Sequence, residues 1–329
     1  MPALSDRLAA ALDRRAALRD ALHAEDTTAY RLFHGAVEGW PGLSVDRYGP
    51  VLLAQSFRAP PAREDVAAVE ALAARLGLWP VFNHRGEGEA ALPAPPPEAL
   101  ADHVVTELGL RYRFRARHRG LDPWLFLDLR AGRRWVKAHA QGAEVLNLFA
   151  YTCGVGVAAA AGGARRVTNL DFAASALEVG CDNADLNGIT EDRFATIQAD
   201  ALPALRQLAG LPLKGRARRR RRFRRLAPQQ FDLVVLDPPT WATSPWGAID
   251  PVRDYPALFK PALLCTRPGG RLLVTNHVST VPLEEWLGVL ERCAQKAGRP
   301  LQGVEVLTPE ADFPSPDGRP PLKLAVVGV

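Results

Sequence analysis

The chain has 329 residues, 47% hydrophobic and 23% charged, with a formal net charge of +5. That length suits one large core plus a smaller domain, and the composition is ordinary for a soluble globular protein. The four cysteines (Cys153, Cys181, Cys265 and Cys293) are widely spaced with no CxxC pair, which argues against a disulfide framework and a zinc site. The positive charge is local. The stretch KGRARRRRRFRR (214–225) holds nine of the 41 basic residues, and the remaining 32 face 36 acidic ones. The N-terminus, MPALSDRLAAALDRR, carries charges every few residues and lacks the apolar core of a signal peptide. No apolar stretch is long enough to span a bilayer, so the expectation is a cytoplasmic protein with no membrane partner.

Residues 5–23 have helical apolar spacing and many alanines and leucines, giving an N-terminal helix within residues 1–24. The segment 29–57 alternates about the turn residues Gly39-Trp40-Pro41-Gly42 and Tyr48-Gly49-Pro50, as β-hairpins do. A helix over 61–77, a strand over 79–84, a proline-rich connector over 87–100 and a strand pair over 104–116 complete a small α+β domain, residues 25–117.

From residue 118 the rhythm changes. A helix (131–140) precedes strands over 144–150, 165–171, 193–200, 231–237 and 271–277, with helices over 173–187, 201–209, 255–264 and 283–297. The terminal segments VEVL and LKLAVVGV add two strands. Strand–helix alternation with short connections predicts an α/β fold. It would be a Rossmann-like, doubly wound, mostly parallel seven-stranded sheet spanning residues 118–329, with 214–225 as an arginine-rich insertion.

The chemistry concentrates at strand ends. Val234, Val235 and Leu236 read as the inside of a parallel sheet, and Asp237-Pro238-Pro239 must end that strand, because proline fixes φ and cannot donate. In open α/β sheets the carboxyl edge is where ligands bind. Asp171 and Asp200 end the two strands that follow the turn NLFAYTCGVG. One acid at a strand end means little, since Asp is common in turns. Three in register after a glycine-containing turn point to a bound nucleoside. Gly154 and Gly156 would let backbone approach a ligand at a helix head. Gly154-x-Gly156-x-x-Ala159 also matches the dinucleotide fingerprint, so a dehydrogenase is a rival, although Asp-Pro-Pro has no part in one.

NLFAYTCG (147–154), Asp171 and LDPPTW (236–241) resemble the class I S-adenosylmethionine-dependent methyltransferases. More closely, the chain is similar to the bacterial 23S ribosomal RNA methyltransferase group, the large-subunit I and K/L enzymes. FLDLR (126–130), DPPT (237–240) and RLFHGAVEGWPGLSVDRYG (31–49) match that group's elements in order, so the resemblance covers most of the chain. It implies S-adenosylmethionine as cofactor, RNA (large-subunit ribosomal RNA) as partner, and no metal. By the same resemblance, Asn147, Phe149, Tyr151, Thr152 and Gly154 would surround the methionine part. Asp171 would bind the ribose hydroxyls, Phe172 would lie against adenine, and Asp200 with the Ala201 amide would read the adenine edge. Phe126, Asp128 and Arg130 would line the pocket. Asp237 and the carbonyls of Pro238 and Pro239 would hold the acceptor base, with Trp241 stacking on it.

Two departures refine this. The family's Tyr-Thr-Gly is here Tyr-Thr-Cys-Gly, and Cys153 reads better as a small packing residue than as a nucleophile. Members that methylate cytosine C5 carry a nucleophilic cysteine on the loop after strand five, because that carbon must be activated. Here that loop reads VTNHVST (274–280), without cysteine. The expectation is also that the N-terminal RNA-binding module of those members is absent. A base nitrogen is already nucleophilic, so positioning suffices, and DPPT with Asn276 resembles the guanine-N7 branch.

Plainer readings stand beside these. The arginine run is either an RNA contact, favoured because the loop is expected near the edge bearing the site, or a solvated charge run. Trp241 and Trp246 are base platforms or a hydrophobic lid. His277 reads as a hydrogen-bonded structural group rather than a base. Arg130 serves the cofactor or pairs with Asp128. A protein or small-molecule acceptor, and a non-catalytic RNA-binding assembly factor, remain open alternatives.

Overall fold

The computed structural model describes residues 2–87, 91–118, 122–213, 224–239, 242–244, 247–249 and 255–329, the side chains of 242–249 excepted. The chain forms two compact units. One comprises Met1–Arg130 with Glu310–Pro320, the other Ala131–Pro309 with Pro321–Val329.

In the first unit the expected N-terminal helix is two helices, α1 (Leu4–Arg14) and α2 (Ala16–Ala24). They break at Arg15 (φ −96°, ψ 10°), whose guanidinium reaches the buried Glu38 at 2.6 Å. Strands β1 (Ala29–His34), β2 (Leu43–Tyr48), β3 (Val51–Ser56) and β4 (Trp79–His84) form a sheet in that order. The first two pairings are antiparallel; β3 and β4 are parallel, joined by α3 (Arg63–Leu76). Leu4, Leu8 and Leu12 of α1 bury against Tyr30, Phe33, Val45 and Leu52 of the sheet. A separate ribbon pairs β5 (His103–Glu107) with β6 (Leu110–Phe114).

In the second unit α4 (Arg130–His139) leads into β7 (Glu144–Leu148), α5 (Gly154–Ala161), β8 (Arg166–Asp171), α6 (Ala174–Leu186), β9 (Phe194–Gln198) and α7 (Ala201–Leu208). Then come β10 (Phe231–Leu236), the short antiparallel pair β11 (Ala242–Ser244) and β12 (Gly247–Ile249), α8 (Tyr255–Cys265), β13 (Thr266–Asn276), α9 (Leu283–Lys296), β14 (Gly303–Leu307) and β15 (Lys323–Gly328). The seven-stranded sheet runs β14-β15-β13-β10-β7-β8-β9; only the pairings of β15 are antiparallel. This is the predicted doubly wound sheet, reversing direction at β7 and β10. The central strands are apolar on both faces because helices cover both: Leu146, Leu148, Val234, Val235, Leu236, Leu272 and Val274 are wholly buried.

The topology places the described flanks of the arginine run on the other side of the sheet from the edge bearing the site. In a parallel sheet the strand-to-helix loops lie at the carboxyl edge and the helix-to-strand loops at the amino edge. The run leaves α7 and enters β10, so its described flanks sit at the amino edge, away from the strand ends that carry Asp171 and Asp237. Gln207 of α7 anchors the carboxyl flank, donating to the Arg224 carbonyl and accepting from the Leu226 amide. Residues 214–223 themselves lie outside the described residues. No described helix is long and apolar enough to cross a membrane.

Candidate active site at the carboxyl edge of the sheet

The turn after β7 is the most constrained backbone in the second unit. Phe149, Tyr151 and Cys153 have left-handed φ of 56°, 49° and 59°. Each such non-glycine residue costs on the order of 1–3 kcal/mol and persists only when its surroundings hold it. Here Ala150 N–H donates to the Leu170 carbonyl (3.0 Å), Tyr151 N–H to Asp171 Oδ2 (2.9 Å), and Asn183 Nδ2 to the Thr152 carbonyl (2.9 Å). The strain therefore falls on residues that a glycine-based reading passes over. Gly154 opens α5 and Gly156 lies inside it, neither with positive φ. What Gly156 permits is close packing: a Cβ there would meet Asn169 Oδ1 at 2.0 Å. Asn169 is wholly buried on β8 and accepts from Asn147 Nδ2 at 2.9 Å. The Asn147 amide is thus spent within the sheet, on a partner that sequence reasoning missed.

Asp171 ends β8 with little exposed surface, and its second oxygen accepts from the Ala173 N–H at 2.9 Å. Burial pushes its carboxyl up, the hydrogen bonds from Ala173, Tyr151 and Phe172 oppose this, and burial wins. The next residue, Phe172, keeps 39% of its surface exposed, high for a phenylalanine at a strand end. On the neighbouring strand, Asp200 caps α7 by accepting from Leu202 N–H at 3.0 Å, with Ala201 buried beside it. Cys153 is wholly buried; a Cβ on Gly180 would come within 2.4 Å of its Sγ. Burial raises its thiol pKa well above the ordinary range, which leaves it inert and supports packing as its role.

Across the switch point β10 delivers Asp237. Register pairs Leu236 with Val274, so Asp237 follows beside Thr275. Oδ1 accepts from the Thr275 hydroxyl and from His277 Nε2, the latter at 2.8 Å. Oδ2 has no hydrogen-bond partner among the described residues. Burial pushes the Asp237 carboxyl up, but the charge and hydrogen bond of His277, the Thr275 hydroxyl and the charge of Arg133 outweigh it and hold the group below its ordinary value. Tyr255 braces Thr275 from behind, its hydroxyl donating to the Thr275 carbonyl at 2.9 Å. Pro238 is buried and Pro239 exposed. His277 is a hydrogen-bonded group, as its plainer reading expected, and its partner is the site carboxylate. Trp241 and Trp246 lie outside the described residues.

The three residues expected from the preceding element belong, by contacts, to the first unit. Phe126 is 41% exposed, Asp128 half-buried and Arg130 wholly buried. Arg130 donates to Glu107 (3.1 Å), Asp312 (3.0 Å) and the Ala29 carbonyl (2.7 Å). A guanidinium so enclosed has no face left for a ligand, so the expected cofactor contact gives way to a buried ion bridge built on Glu107 and Asp312.

The profile of the S-adenosylmethionine-dependent methyltransferases matches residues 30–327. The chain belongs to this family. A ribosomal RNA large subunit methyltransferase of Deinococcus radiodurans is 33% identical over 304 residues, covering 89% of this chain and 70% of its own. The ribosomal RNA large subunit methyltransferase I of Shewanella amazonensis is 28% identical, covering 94% and 76%. In fold, a crystal structure of a methyltransferase complexed with S-adenosylhomocysteine superposes with a TM-score of 0.79 at 22% identity, covering 99% of this chain and 80% of that one. The methyltransferase therefore uses S-adenosylmethionine, and the dehydrogenase reading falls. The carboxyl edge fits such a ligand: an acceptor pair at Asp171, an exposed aromatic at Phe172 and a helix-capping acid at Asp200 suit ribose hydroxyls and an adenine ring. Among the described residues no group of His, Cys, Asp and Glu is placed to hold a metal ion.

Proposed function

We propose that the chain methylates a base nitrogen of large-subunit ribosomal RNA, guanine N7, working in the cytoplasm where ribosomes are built. Asp237 carries this reading. It is ionised, held at Oδ1 by Thr275 and His277, and has Oδ2 without a protein partner among the described residues. An ionised carboxylate only accepts hydrogen bonds, so it selects a base edge that donates, as guanine does through N1–H and N2–H. The Pro238 and Pro239 carbonyls extend the set of fixed acceptors. S-adenosylmethionine supplies an electrophilic methyl group on its sulfonium when bound. Asp171 would hold the ribose, Phe172 the adenine face, Asp200 and the Ala201 amide the adenine edge, and Phe149, Tyr151, Thr152 and Gly154 the methionine end.

The protein's task is then alignment and exclusion of water, since N7 of guanine bears a lone pair and needs no base to free it. The end of β13 and the loop after it, residues 274–280, contain no cysteine, and Cys153 and Cys265 are buried with thiols raised by burial, the latter to about 12. These features speak against covalent activation of cytosine C5. A target base inside a duplex would have to be flipped out, or be offered in a loop.

The test is transfer from labelled S-adenosylmethionine to fractionated RNA from a strain lacking the gene, followed by nucleoside identification. Label in 7-methylguanosine of large-subunit RNA is the expected result. Label in 5-methylcytidine would refute the nitrogen reading, and no label in any RNA would turn the search to protein or small-molecule acceptors.

A further inference from the structure

The amino edge of the seven-stranded sheet carries two cavities, on the side of the unit away from Asp171 and Asp237. The first, about 600 Å³, is bounded by Trp135 and His139 of α4 and by Arg165, Asp232, Arg267 and Arg271. The second, about 490 Å³, is bounded by Arg166, Thr168, Arg224, Pro228 and Phe231. Arg165 lines the first cavity and its neighbour in the chain, Arg166, the second.

The charges do not cancel. Arg165 and Arg267 are compensated, the first by Glu144 at 3.0 Å, the second by Asp232 at 2.6 Å and Glu144 at 2.5 Å. Arg166, Arg224, Arg225 and Arg271 are exposed, with no acidic partner among the described residues. Asp232 is the one acid among the described lining residues of either cavity. Arg271 lies over the Trp135 ring, 5.7 Å from its centroid, and Trp135 stacks on His139 with centroids 4.1 Å apart. The sequence inserts Lys214–Arg225, nine basic residues in twelve, into the connection whose described flanks border the second cavity. A fold does not retain three uncompensated arginines in these grooves, with Arg225 next to one of them in the chain, for stability, because exposed like charges repel.

We infer that this amino edge is a second RNA-binding surface, which takes the phosphodiester backbone of the substrate at a distance from the methylated base. The inference rests on the proposed RNA substrate and adds an extent to it. Strands of five or six residues separate the two edges by roughly 17–20 Å. The acceptor must therefore be a long or folded RNA that passes from one edge to the other, and a mononucleotide or short loop engages only half of the site. Arginine suits phosphate by its planar fork of donors, and the Arg271–Trp135 pair keeps one such fork extended over a flat surface.

The test uses the full chain with Arg166, Arg224, Arg225 and Arg271 each changed to Gln together. Binding of a fluorescent single-stranded RNA is measured by anisotropy across a series of KCl concentrations. S-adenosylhomocysteine affinity is measured in parallel by calorimetry. The expected result is a loss of RNA affinity of about tenfold or more near physiological salt. The slope of log affinity against log salt should become shallower by about 0.7 for each arginine that meets a phosphate, with S-adenosylhomocysteine affinity unchanged. An unchanged slope and affinity would overturn the inference, and so would equal losses of RNA and S-adenosylhomocysteine binding, which would assign the arginines to the fold. Arginine-dependent binding of polyglutamate in place of RNA would overturn it too. If wild-type protein methylates RNA while binding ignores these arginines, only the second surface falls. If binding follows the arginines but no RNA accepts methyl, the surface stands and the proposed reaction falls.

Discussion

Replacing Gly156 by alanine should damage the methyltransferase unit through one atom. The new Cβ would sit 2.0 Å from Asn169 Oδ1 and 2.8 Å from its Cγ, where real contacts stay beyond about 3 Å. Oδ1 must retreat by about 1 Å, yet it is wholly buried and accepts from Asn147 Nδ2 at 2.9 Å. Overpacking of this kind costs about 1–3 kcal/mol. Losing the amide pair strands a buried donor at about 1–3 kcal/mol more. Together these predict about 2–6 kcal/mol, a fall in melting midpoint of about 4 °C or more for a unit of this size. Thermal unfolding followed by circular dichroism measures it, with Gly303→Ala as control, since nothing lies within 4 Å of a Cβ there. Asn169→Ala in the Gly156→Ala background removes the obstructing oxygen, so the double variant should lose less than the sum of the singles. Strict additivity, or a Gly156→Ala midpoint equal to that of the control, would refute the packing argument.

Asp171→Ala should weaken S-adenosylhomocysteine binding at least about tenfold, because it removes the proposed ribose acceptor and frees the Tyr151 and Ala173 amides; a charge-assisted hydrogen bond is worth about 1.5–3 kcal/mol. Asp237→Ala should leave that affinity intact and stop transfer, and calorimetry beside single-turnover rates separates the two. His277→Ala should lower the transfer rate roughly tenfold to a hundredfold, by the same 1.5–3 kcal/mol, without changing S-adenosylhomocysteine affinity. The depressed Asp237 pKa contributes stability that is fully present above the unfolded value near 3.9 and is lost as pH falls through the lower folded value. Asp237→Asn should therefore flatten the stability profile below about pH 4, and parallel wild-type and variant profiles in urea titrations would contradict this. Deleting residues 214–225 should lower RNA affinity and its salt dependence while sparing S-adenosylhomocysteine binding; an unaltered salt slope would reduce the run to a solvated insertion.

Much of the site was legible because its signals are local. A β-prone run halted by Asp237-Pro238-Pro239 dictates a strand end, and acids closing successive strands dictate a shared edge, since parallel strands share direction. Parallel register even explains why Thr275 meets Asp237, although the sequence does not announce that pairing. The amino-edge position of the described flanks of the arginine run also follows from helix-to-strand order, once topology rather than proximity is considered.

What only tertiary structure decided involves residues far apart in the chain. Arg130 pairs with Asp312, 182 residues away, and this turns a supposed cofactor contact into a buried bridge. Asn147 and Asn169 meet across strands, and Gly156 is glycine because of that pair rather than because of its own φ. The left-handed backbone at Phe149, Tyr151 and Cys153 is held by bonds from Asp171, Leu170 and Asn183. Sequence by itself determined the periodicity, the breaks and the chemical types at strand ends, because these depend on neighbours along the chain. Partners of buried polar groups, and which oxygen of Asp237 is taken up by Thr275 and His277, depend on neighbours in space, and only folding brings those together.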